Sequence, residues 1–129
     1  MKLKTLMIIK AIVCLSFGFL LLVFPEALLN ILGASVGAGG LFMARAYGAS
    51  LTGNMFLTWY AKDAGKSTAR RAIILDLFIY DAIGFVVTLL NVLAGVLNFL
   101  GWGIVAVYLF FTLGYGYFWF KGESILPSD

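Results

Sequence analysis

No histidine occurs in the 129 residues, and Cys14 is the single cysteine. The first absence removes the usual haem ligand, the commonest metal ligand and the commonest general base. The second excludes an intrachain disulfide and a C-x-x-C redox pair. Cys14 itself lies in an apolar run and reads as a small core hydrophobe. Charge is scarce as well. Charged residues make up 12% of the chain, where a soluble domain carries about 25%. The motif inventory is equally bare: there is no H-E-x-x-H, no P-loop, no G-x-S-x-G and no acidic metal cluster. Gly37-Ala38-Gly39-Gly40 has no strand before it and is not a dinucleotide fingerprint. The expectation is a protein with no catalytic residues, no metal and no cofactor.

What the chain has in excess is apolar surface: 63% hydrophobic residues and a mean hydropathy of +1.04. So few charges cannot cover a water-soluble fold of this size. A soluble enzyme, a nucleic-acid reader and a disordered chain are thereby disfavoured, and residues 1–129 read as one integral membrane domain. A span takes about 20 mostly apolar residues. Four windows qualify, at about 6–24, 41–60, 72–93 and 100–120. Lipid offers no partner to backbone N–H and C=O groups, so each should be helical. The fold class expected is all-α: an up-down-up-down four-helix bundle in the membrane. The first window is longer than the apolar core of a signal peptide, and no A-x-A-like site follows it. Instead Pro25 and Glu26 open a short apolar piece that Gly33 can close, as an interfacial helix before a loop at Ala34–Gly40.

Eight of the nine basic residues sit near the start (Lys2, Lys4, Lys10), in the connection Lys62–Arg71, or at Lys121. The connections at Pro25–Gly40 and Ala94–Phe99 carry none. By the positive-inside rule this is an orientation signal, not a nucleic-acid footprint. It puts both termini and the basic loop in the cytoplasm of a multi-pass cell-membrane protein. Trp59, Tyr60, Trp102 and Trp119 fall at window ends, where amphipathic rings prefer the headgroup level.

The two hairpins echo one another. Gly18-Phe19 followed by Leu28–Gly33 matches Gly84-Phe85 followed by Val96–Gly101. A parallel tandem duplication about an axis along the membrane normal and a chance echo of low-complexity apolar sequence both account for this. Small residues recur every four positions at Ala44, Gly48 and Thr52, a spacing that lets helix backbones approach.

Charges inside windows are costly and normally face the bundle interior in pairs. Counting the rise along each helix puts Lys10 level with Asp76, and Asp81 near the midplane within reach of Arg45. The structural reading is two register-fixing ion pairs, Lys10–Asp76 and Arg45–Asp81, with Glu26 as a competitor for Arg45. The functional reading is a ligand or proton site at Arg45, Asn54 and Asp81. Asp76 and Asp81 lie about 140° apart on one helix, which argues against a paired-carboxylate catalytic site.

The run Arg45-Ala46-Tyr47-Gly48-Ala49-Ser50-Leu51-Thr52-Gly53-Asn54, with a basic loop ending in Arg70-Arg71, resembles the small four-helix membrane proteins of the DoxX-like kind. These tend to show R-x-x-G-x-x-L-x-x-G in their second helix, which Arg45, Gly48 and Leu51 match and Gly53 meets one residue early. The proline after helix one and the apolar stretch ending in glycine resemble them too. The resemblance implies a compact four-helix bundle, with some relatives associated with quinone-linked redox complexes. It singles out Arg45, Gly48 and Gly53. The two acids of the third window depart from the pattern.

Two functional expectations follow. One is a non-enzymatic tetraspan protein in contact with membrane lipid, associating with itself or with a larger membrane complex. The other is a small transporter or binding protein for a lipid, quinone or small solute.

Overall fold

The computed structural model describes residues 2–121. All regular structure among them is helical: α1 (Leu3–Val23), α2 (Pro25–Ile31), α3 (Ala38–Ala61), α4 (Thr68–Leu93) and α5 (Gly101–Phe120). The four long helices cover the four apolar windows. Three of them, α1, α4 and α5, are long and apolar enough to cross a membrane. The helix over the second window, α3, falls short of that measure. Its length is sufficient, but Arg45, Asn54 and a series of glycine, serine and threonine positions dilute its hydropathy.

Local chemistry explains the boundaries. Pro25 occupies the first turn of α2, where its missing N–H costs nothing, and Glu26 follows it. The helix stops because Gly33 takes a φ of +84°, open to a residue without Cβ. The Ala34 N–H then reaches back to the Leu29 carbonyl at 2.8 Å, closing the end as a Schellman-type cap does. Gly95, with φ +81°, ends α4 in the same way, and Val96 N–H bonds the Asn91 carbonyl. Ser67 caps α4 by accepting from the Arg70 N–H at 3.1 Å. The expected loop at Ala34–Gly40 is shorter than the sequence suggested, because Ala38, Gly39 and Gly40 already form the first turn of α3.

Packing is pairwise. α1 lies chiefly on α3, and α4 on α5. The α1–α3 contact is a backbone approach: a Cβ added at Gly48 would stand 3.0 Å from the Gly18 carbonyl oxygen. The small-residue row on α3 is therefore used within the chain. Polar side chains along these helices turn back on their own backbone. Ser16, Thr52, Thr58 and Thr112 each donate to the carbonyl four residues earlier, which satisfies them in apolar surroundings.

Side chains join the pairs. Leu3, Leu6 and Met7 of α1, Ile74 and Leu77 of α4, and Phe111 and Tyr115 of α5 form one buried cluster. At this end Lys4 meets Asp63 at 3.2 Å, Lys62 lies 4.3 Å from the Trp59 ring centre and Arg71 3.7 Å from that of Trp119. Lys62 and Lys4 hold the Asp63 carboxyl below the usual carboxylate range. At the opposite end, the connection after α4 ties onto α2: Asn98 donates its N–H to the Leu32 carbonyl and its Nδ2 to the Ile31 carbonyl, both at 2.8 Å. The stretch that echoes α2 in sequence, 96–100, forms turns and no helix of its own. Outward faces are largely apolar, with Ile12, Leu15 and Phe19 on α1 and Ile83, Val86 and Leu90 on α4 exposed. A soluble protein would bury such residues.

Candidate functional site: a polar-floored cavity between the helix pairs

On α1 the buried positions Leu3, Leu6, Met7, Lys10, Ala11, Cys14, Gly18 and Leu21 recur at helical spacing. Lys10 lies on that stripe and is 3% exposed; Asp81, on the α4 stripe with Ile74 and Leu77, is 0% exposed. The Lys10 ammonium donates to Asp81 Oδ1 at 2.6 Å. It also lies 4.7 Å from the Phe111 ring centre and 5.0 Å from that of Tyr80, close enough for cation–π attraction.

This pairing corrects both expected ion pairs. Asp76 is exposed: five residues before Asp81, it is rotated off the buried stripe that carries Asp81. Arg45 is exposed on α3 and makes no ion pair among the described residues; Glu26, exposed on α2, does not fold over it.

Above the pair is a cavity of about 270 Å³. Its floor is Lys10, Asp81 and Cys14. Its walls are apolar side chains such as Val13 and Phe17 of α1, Leu51 of α3, and Ile104 and Val107 of α5. Leu28 and Leu29 of α2, Leu32 just after it, and Leu97 line it toward the end away from the basic loop. From Lys10 to Leu21 along α1 is about 16 Å, so the cavity reaches from the middle of the helices toward that end. Tyr47, Tyr80 and Tyr108, one from each of α3, α4 and α5, also line it. Tyr80 donates to the Tyr47 hydroxyl at 2.8 Å, and the Tyr47 and Tyr108 hydroxyls share a hydrogen bond.

Asp81 Oδ2 is buried without a hydrogen-bond partner, as is the Tyr115 hydroxyl. Tyr115 belongs to the packed layer and does not line the cavity; Asp81 does. A buried carboxylate oxygen left unserved is expensive.

Of the residues expected to form a site, only Asp81 lines the cavity; Arg45 and Asn54 do not. Lys10 was expected as a structural partner of the wrong acid. The three tyrosines and Cys14 were not expected at all. Helical spacing from Leu3 signals Lys10, but nothing in the sequence places the three tyrosines together. No group of three or more metal-ligating side chains occurs among the described residues. Comparison with known proteins finds no matching family model, no similar curated protein and no similar solved structure.

Proposed function

We propose that this chain is a small membrane binding protein that holds a largely apolar molecule in the cavity above Lys10 and Asp81. One observation carries the reading: an apolar-walled cavity of about 270 Å³ ends on a buried ion pair with one carboxylate oxygen unpartnered. An engineered apolar cavity of about 150 Å³ already admits benzene, so this one suits a molecule of one or two rings or a short aliphatic chain. Mostly hydrophobic walls with a few convergent polar groups are the usual make-up of a ligand site. The site expected at Arg45, Asn54 and Asp81 for a lipid, quinone or small solute keeps Asp81 and takes Lys10 and the tyrosines in place of Arg45 and Asn54. No residue set for bond-making is assigned, and the protein is read as a non-enzyme.

The proposal includes the membrane arrangement: four spanning helices in an up-down-up-down bundle, with both termini and Lys62–Arg71 cytoplasmic. The gathering of Lys4, Lys62 and Arg71 at one end supports it. So does α3, which lies on α1 along its length although its own hydropathy is modest. The tandem hairpin repeat belongs here too, supported by the matched α1–α3 and α4–α5 pairing. Kinship with DoxX-like proteins rests on the Arg45–Asn54 run, the basic loop ending in Arg70-Arg71 and the proline-to-glycine stretch after helix one.

Association with another membrane component is a second reading. Ala46, Ser50 and Gly53 are exposed on one face of α3, and small residues at this spacing accept a neighbouring helix.

Native mass spectrometry of the full chain extracted in mild detergent tests the first reading. A small-molecule adduct at one per chain is expected, and it should vanish in Ala44→Phe, which fills the cavity from α3. Equal adduct on both proteins, or none on either, contradicts the reading.

A further inference from the structure

Hydrogen-bonding capacity at the cavity floor is unfilled in a specific way. The Lys10 ammonium has three donors and one carboxylate oxygen as acceptor. Asp81 Oδ2 is an acceptor with no donor. The tyrosine hydroxyls bond to one another and leave it unserved. A single group that accepts from Lys10 and donates to Asp81 would complete both.

Resting on the binding reading above, we infer that the ligand is a neutral apolar molecule whose head carries a donor and an acceptor together. On an organic molecule a hydroxyl is the smallest such group, and a primary amide is another. A quinone, ester or ketone head offers acceptors only. It satisfies Lys10 and leaves the Asp81 oxygen bare, so the site discriminates against it. Neutrality follows from the floor itself. Lys10 and Asp81 cancel, and a charged ligand would bring an uncompensated ion between apolar walls. The apolar walls take the remainder of the molecule.

The matched probes 2-nonanol and 2-nonanone differ only in whether the head can donate. The experiment titrates each, and decane, into the full chain in lipid nanodiscs with ring-¹³C tyrosine labelling. Tyr80 and Tyr108 report the cavity; Tyr47 lines it too but is 36% exposed. Tyr60 and Tyr117, exposed at 73% and 55%, report general bilayer effects. Saturable shifts confined to the cavity tyrosines are expected, with half-saturation for the alcohol at least about ten-fold below that for the ketone. A site with a buried polar group rejects an analogue that leaves it unpaired by that much or more. Equal half-saturation, or tighter binding of the ketone, overturns the inference and leaves the cavity as a binding site. Absence of saturable shifts with all three probes overturns the binding reading itself.

Discussion

Lys10 and Asp81 are the only oppositely charged side chains in the described part of the chain to meet fully buried. Two ions removed from water recover their desolvation only through each other, so the cost of removing one exceeds the value of the pair. Lys10→Met and Asp81→Leu should each destabilise by about 3–5 kcal/mol. The double substitution should recover a large part of that, seen in thermal unfolding in detergent. Strict additivity would contradict the pairing. Arg45→Gln, at an exposed position without an ion pair, should change stability by no more than about 0.5 kcal/mol. In the tyrosine cluster Tyr47 is the node. Tyr47→Phe should cost about 1–3 kcal/mol, and more than Tyr80→Phe, because it strips partners from two hydroxyls instead of one. At this scale the sequence was partly legible. That a charge inside an apolar window must be buried and paired could be read for Lys10 and Asp81. Which acid pairs with which base could not, because height along a helix says nothing of the direction a side chain faces.

At the level of elements, the helices were readable because apolar runs and their punctuation coincide: Pro25 opens α2, and Gly33 and Gly95 end helices in a left-handed conformation. Boundaries shifted where hydropathy and helicity part. α4 begins at Thr68, since Ser67 caps a first turn that is polar. α3 begins at Ala38 in a glycine-rich stretch that reads as a loop. Glycine positions within α3 now separate into two kinds. A Cβ at Gly48 meets backbone of α1, whereas one at Gly53 meets nothing within 4 Å. Gly48→Ala should therefore destabilise by about 1–3 kcal/mol through overpacking. Gly53→Ala should stabilise by about 0.5–1 kcal/mol through helix propensity. Chemical unfolding of the two variants in matched detergent measures both, and a shared sign would contradict the packing described here.

For the whole molecule, apolar composition made a membrane protein legible at once, but neither the cavity nor its contents. A cavity is the space left when four helices cross, and composition is blind to it. Orientation rests on charge, so replacing Lys62, Lys66, Arg70 and Arg71 together should disturb it, whereas single replacements should not. Cysteines engineered at Gly65–Ser67 should resist impermeant labelling from outside intact cells in the parent and become accessible in the quadruple variant. The most direct test of the account is a crystal structure of the full chain grown from a lipidic mesophase. It should show Lys10 on Asp81 and density for a small molecule above them, touching Asp81 Oδ2 and walled by Phe17 and Leu51. A cavity closed by side chains, or Lys10 turned to Asp76, would contradict it.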